Sequence, residues 1–172
     1  GFTVGVREFA PEAVQGDVEY VLSKGYTPVF LGKESVPTGA IHVIKGNFTA
    51  DMSKGINLIN KTSLVQAGAI MSGSAAVVGV DCGLLHVAGC TEAHIVAGFT
   101  TVTPYKRAPI RHDVLGYRFY PVVPDSSLEC IFCQEKTNFL YGHNYVNCIY
   151  DDFKCVKQLT AAKFITQLEK LL

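Results

Sequence analysis

From Ala75 to Val80 the chain is apolar without alternation, which predicts a strand covered on both faces. Asp81 ends the run, Gly83 follows, and Leu84 to Ala88 predicts a short apolar helix. The same kind of patterning recurs on either side. Phe2 to Val6 predicts a first strand, and Pro11 with Glu12 suits the first turn of a helix. Val14, Val18, Val21 and Leu22 form its apolar stripe, and Gly25 ends it. Thr27 to Leu31 predicts a second buried strand, followed by a loop from Gly32 to Ser35. Ile41 to Ile44 predicts a short third strand, and residues 45–60 read mainly as loop, with Ile56 to Ile59 undecided.

Ser63 and Gln66 make a capping-box signature ahead of a helical face of Leu64, Ala67, Ile70 and Met71, which Gly73 stops. After the central strand and helix, His94 to Phe99 predicts another strand. A loop with Pro104, Lys106, Arg107, Pro109 and Arg111 comes next, and Tyr117 to Val123 predicts a late strand. Residues 124–157 form an irregular cysteine-containing segment. Thr160 is placed to cap a last helix reaching Leu172, with Leu159 and Phe164 at staple positions. Strands alternating with helices imply an α/β fold, a mostly parallel sheet with helices on both faces, in one domain over residues 1–172.

Composition narrows the class. The 172 residues are 48% hydrophobic and 17% charged, enough for a full core. Fifteen cationic and fifteen anionic side chains give zero formal net charge, which argues against a nucleic-acid partner. No apolar run has transmembrane length and no signal peptide is recognisable. The chain starts with Gly rather than Met and a strand is predicted almost at once, so a piece of a longer protein is expected.

Open α/β sheets bind ligands beyond the carboxyl ends of their strands. Three predicted loops meet that condition: Arg7 to Phe9, Asp81 to Gly83, and Thr100 to Arg111. In the middle one, a glycine lets backbone approach a ligand, and the N–H groups of the following helix favour an anion. His86 lies one helical turn further on. The pattern D-x-G-x-x-H is short, however. It also fits a helix-capping Asp81 and a hydrogen-bonded core His86. For the cations of the third loop, a solvated surface is the equal alternative.

The ordered run from Ile56 to Cys90, with N-K-T-S-L, the buried strand and D-C-G-L-L-H-V-A, resembles the donor-binding half of the ADP-heptose glycosyltransferases, family nine. The continuation H-I-V-A-G-F-T-T-V-T-P-Y-K-R-A-P extends the likeness, and so do the C-x-x-C and downstream cysteines, so that it spans roughly residues 55–160. The resemblance implies one Rossmann-like lobe of a GT-B architecture. It also implies an inverting transfer of a sugar from a nucleotide donor to a glycan or lipopolysaccharide-type acceptor, with no cofactor required. A cytoplasmic location, peripheral to the inner face of the membrane, goes with it.

On that resemblance Asp81 would bind donor hydroxyls, Cys82 and Gly83 would offer backbone N–H groups to the diphosphate, and His86 would support them. Lys106 and Arg107 would add positive charge, Arg7 would replace a family lysine, and Glu34 would meet the nucleotide ribose. Cys82 replaces the usual Thr or Ser and loses a hydroxyl contact. The acceptor lobe, which holds the family's acidic general base, has no counterpart in this sequence, so an isolated chain is expected to bind a donor without transferring its sugar. A non-catalytic binding or assembly module is the competing expectation. A methyltransferase would want a glycine-rich turn after the first strand, which G-V-R-E-F-A lacks.

Cys130, Cys133, Cys148 and Cys155, with His143 among them, leave three alternatives open: a structural zinc, disulfides, or free buried thiols. Without a secretory segment, a reducing compartment is favoured.

Overall fold

A computed structural model of the protein describes residues 7–33, 51–110, 118–136, 148, 150 and 152–172. The strands expected at Phe2–Val6 and Ile41–Ile44, and residues Glu34, Arg111 and His143, lie outside the described residues.

The fold is a parallel α/β structure. Helix α1 (Pro11–Ser23) leads to β1 (Val29–Phe30), which pairs in parallel with β2 (Ile56–Asn57). A single turn of 3-10 helix at Met52–Lys54 precedes β2. Then come α2 (Leu64–Ser72), β3 (Ala76–Val80), α3 (Gly83–Gly89) and β4 (His94–Gly98). They are followed by α4 (Pro104–Arg107), β5 (Phe119–Val122), α5 (Lys154–Lys157) and α6 (Ala161–Leu168). The second described sheet has the order β3-β4-β5, parallel throughout.

The period-two alternation of β4 divides the core. Ile95 and Ala97 face α2 and α3, packing with Ala67, Met71, Leu85, Ala88 and Phe99. Val96 points the other way, into a second cluster with Val122, Leu159, Phe164 and Leu168. Helices therefore cover both faces of the sheet, as the patterning predicts. Gly98 lets α6 close in, because a Cβ there would come within 2.8 Å of Leu159 Cδ1 and 3.0 Å of Phe164 Cζ.

Local signals are realised where their hydrogen bonds are local. Ser63 Oγ accepts from the Gln66 N–H at 3.3 Å, and Gln66 Oε1 accepts from the Ser63 N–H at 2.9 Å, closing the capping box. Gly25, at φ 82°, takes the left-handed conformation that ends α1.

Four expectations are corrected. The strand expected to be buried on both faces, β3, is half-buried over most of its length, and β4 is the fully covered one. Among the described strands β4 has a neighbour on each side and β3 only one. The strand expected at Thr27–Leu31 pairs over two residues and leaves Val29 exposed, because β2 is its one described partner. Leu64 turns outward while Ala67 and Met71 take the core. Finally, α6 stops at Leu168, and the Thr160 side chain makes no capping hydrogen bond. Leu159 and Phe164, both fully buried, hold that entry by packing alone.

Candidate functional site

The carboxyl end of β3 runs directly into the Asp81–Gly83 turn. The Asp81 N–H donates to Gly98 O at 3.1 Å, so the sheet ladder continues into the turn and fixes it. Cys82 is the N-cap of α3 in extended conformation, and its side chain makes no capping hydrogen bond. Gly83 opens the helix exposed, with nothing within 4 Å of where a Cβ would stand. The corner is thus open at the backbone.

Asp81 does not cap the helix. It is buried, 6% exposed, and its Oδ2 lies 3.5 Å from Arg7 Nη1 and 3.9 Å from Arg107 Nε. Two guanidinium groups from the first and third predicted loops therefore flank one carboxylate at the tip of the second. Two cations against one anion leave a local excess of positive charge beside the open end of α3. Arg7 Nε is also buried with no hydrogen-bond partner among the described residues, so a donor there is unspent.

The remaining sequence candidates separate. His86 is exposed on α3, and its imidazole makes no hydrogen bond or ion pair among the described residues. Lys106 turns from Asp81 to Glu135, with Nζ 3.0 Å from Oε2. Glu34 lies outside the described residues.

Glu135 is the residue that sequence reasoning missed. Its Oε1 accepts from the Thr103 N–H while Oε2 pairs with Lys106. Burial pushes the Glu135 carboxyl up, but the Thr103 donors and the Lys106 ammonium outweigh it and hold it below its ordinary range. The Phe132 N–H donates to Thr100 O at 3.1 Å and the Gln134 N–H to Thr101 O at 3.0 Å. The turn at 132–135 is thereby stitched along the loop that carries Arg107 to Asp81. No local signal in the sequence marks Glu135 for this role, because its partners lie some thirty residues away. Glu8 stands beside Arg7 in the first predicted loop, and burial pushes its carboxyl up.

All six cysteines are free thiols. As placed, no group of three or more His, Cys, Asp or Glu side chains among the described residues stands ready to hold a metal ion. No described helix is long and apolar enough to cross a membrane.

A parallel α/β sheet with an acidic turn, an open helix start and flanking cations at the carboxyl ends of its strands has the arrangement at which open α/β sheets take up ligands. The family model of glycosyltransferase family 9 (heptosyltransferase) matches residues 22–132, more than half of the chain, and the chain belongs to that family. The match starts earlier than the motifs suggest and ends before Cys133, Cys148 and Cys155. Among solved structures, the chain is similar to the crystal structure of the glycosyl transferase family 9 from Veillonella parvula DSM 2008. The two are 17% identical with a TM-score of 0.62, over 99% of this chain and 43% of that one. That likeness establishes a shared fold, and the chain spans less than half the length of the protein it matches. Comparison with curated proteins finds no match.

Proposed function

We propose that the chain is the donor-binding lobe of an inverting glycosyltransferase and that it holds a nucleotide sugar, an ADP-sugar of the heptose type, at the Asp81–Gly83 turn. The observation that supports this reading most is the juxtaposition of open backbone at Gly83 with Arg7 and Arg107 around Asp81.

In the proposed reaction an acceptor hydroxyl oxygen attacks the anomeric carbon of the donor. The bond from that carbon to the diphosphate oxygen breaks, and its electron pair leaves with the nucleoside diphosphate. Negative charge grows on the diphosphate as this happens. The N–H groups at Cys82 and Gly83 and the two guanidinium groups are placed before the reaction starts, so they stabilise that charge with little reorganisation. Arginine suits the role because its planar fork matches phosphate oxygens. Asp81 then has two tasks: it orients both arginines and accepts from donor hydroxyls. Cys82 offers backbone but no hydroxyl. The acceptor, a glycan or lipid-linked sugar at the inner face of the membrane, and the base that takes its proton belong to a second lobe.

Calorimetry with ADP, ADP-sugars and other nucleotide sugars tests the proposal, with Gly83→Phe as the partner variant. Open space at Gly83 lets the variant fold, while its ring fills the volume assigned to the diphosphate. Binding by the natural chain and its loss in the variant, with unfolding unchanged, are the expected results. Absence of nucleotide binding at millimolar concentration overturns the reading and leaves the non-catalytic module.

A further inference from the structure

Helix α2 is apolar on every side. Of its nine residues only Gln66 and Ser72 are polar and none is charged, and Gln66 is spent in the capping box. A helix of that kind is ordinarily covered all round. Ala67 and Met71 take the core, but the opposite side faces solvent. Leu64 is 66% exposed and Val65 83%, and Ala69 and Ser72 are exposed with them. Helix α1 differs, because it sets Glu12 and Glu19 on its solvent side.

The apolar side of α2 continues onto α3. Gly68 lies so near α3 that a Cβ there would stand 3.3 Å from Val87 Cγ1. A cleft of about 440 Å³ opens between the two helices, walled by Val65, Gly68 and Ala69 on one side and by Val87, Cys90 and Thr91 on the other. Among the described residues no lysine, arginine, aspartate or glutamate lines it. Pro109 packs on Gly89 at its edge, and the next residue, Ile110, is 86% exposed. One face therefore carries both an apolar ridge, Leu64 and Val65, and an apolar hollow beside it.

We propose that this face pairs with the same face of a second copy of the chain, across a two-fold axis beside Ala69. Leu64 and Val65 of each copy then enter the cleft of the other, so one patch supplies ridge and hollow, as a two-fold interface requires. Charge permits the pairing, because the cleft is uncharged and a chain of zero formal net charge does not repel its copies. A bilayer suits the face less well. It is flat, and helices that lie on membranes set cations around their apolar groups, whereas Lys61, just ahead of α2, gives its ammonium to Asn57 O. Area sets the strength. A Val, Leu or Ile side chain offers roughly 60–120 Å² to burial, so Leu64, Val65 and Ile110 with the cleft walls cover about 400–600 Å² per copy. A total of roughly 1,000 Å² is at the lower limit for a specific interface, and the pairing is weak and concentration-dependent. It is independent of what binds at Asp81.

Sedimentation velocity and light scattering of the chain, from micromolar to millimolar concentration, test the proposal. A reversible monomer–dimer equilibrium is expected, and it should persist in high salt because no ion pair holds it. Val65→Glu should weaken it at least tenfold, the change being made twice in a two-fold pair. Ala69→Arg should do the same from within the cleft. Both positions are exposed, and an acidic residue suits the first turn of a helix, so unfolding of the Val65→Glu chain in urea should be unchanged. A chain that stays monomeric over that range overturns the proposal, and so does a dimer indifferent to both substitutions. Binding of lipid vesicles by a monomeric chain, lost in Val65→Glu, would assign the face to lipid and overturn it equally.

Discussion

Gly89, the last residue of α3, lies against the ring of buried Pro109, so that a Cβ on the glycine would overlap Pro109 Cβ and stand 3.4 Å from its Cγ. Pro109 sits two residues beyond Arg107, which reaches Asp81. The contact therefore docks the cation-bearing loop onto the far end of the helix whose start is the proposed anion site. Gly89→Ala must push a ring that has no flexible end to move. It should destabilise the chain by about 1–3 kcal/mol in urea unfolding and should weaken nucleotide binding by displacing Arg107. Unchanged stability would mean that the loop moves aside without cost.

Asp81→Asn removes the charge that two guanidinium groups share. Arg7 is mostly covered, and one of its nitrogens is already unpartnered among the described residues. Removing one member of a buried charge set costs more than the set itself contributes, because the other member is left uncompensated. Arg107 is nearer solvent, which moderates the loss. The expected destabilisation is about 1–3 kcal/mol, measured by thermal or urea unfolding. Nucleotide binding should change separately: inorganic phosphate, with no sugar hydroxyl for Asp81 to meet, should bind the variant at least as well as the natural chain.

What could be read in advance divides along physical lines. The capping box at Ser63, the handover from β3 to α3 and the staple of Leu159 on Phe164 are written in residues a few positions apart, and each was legible. The relative cover of β3 and β4 was not, because it depends on how many strands flank each one. The meeting of Arg7, Asp81 and Arg107 was legible only as three loops at one sheet edge. Which cations turn inward is decided by packing, and Lys106, one residue from Arg107, turns to Glu135 instead. Burial of Asp17 was hidden as well. The valine stripe of α1 says that the helix is covered, but not that Gly16 brings it so near α6 that a Cβ would stand 2.5 Å from Ala161 Cβ.

Asp17 gives the chain a pH dependence of defined sign. It is 7% exposed, and neither carboxylate oxygen has a hydrogen-bond partner among the described residues. Tyr20 Oη, nearly one turn on, is in the same state. Burial pushes the Asp17 carboxyl from 3.8 up to about 8. The folded chain then binds a proton that the unfolded chain has released throughout that interval, so stability falls as pH rises from about 4 to about 8. The loss attributable to this one group is on the order of a few kcal/mol. Asp17→Asn keeps the shape and removes the titration. Urea unfolding across that range should fall steeply for the natural chain and more shallowly for the variant. Parallel slopes would mean that Asp17 ionises normally.

Glu135 links the cysteine-bearing turn to the loop that frames Asp81, and its replacement should separate positioning from stability. Its carboxylate holds the Thr103 N–H and Lys106, two groups on the segment that delivers Arg107. With Glu135→Ala, the backbone bonds from Phe132 to Thr100 and from Gln134 to Thr101 remain, so the fold should persist with a loss of about 1 kcal/mol. The far end of the loop loses its tie, however, and Lys106 is released toward solvent. Nucleotide affinity should drop severalfold, and Glu135→Gln, which keeps the acceptor for Thr103, should restore part of it. Acid should mimic the alanine variant. The carboxyl is held below its ordinary 4.5, so the tie is complete above that pH and is lost as pH falls through the lowered value. If affinity tracks unfolding in every variant, Glu135 is only a structural brace; if affinity falls while unfolding is nearly unchanged, it positions the loop.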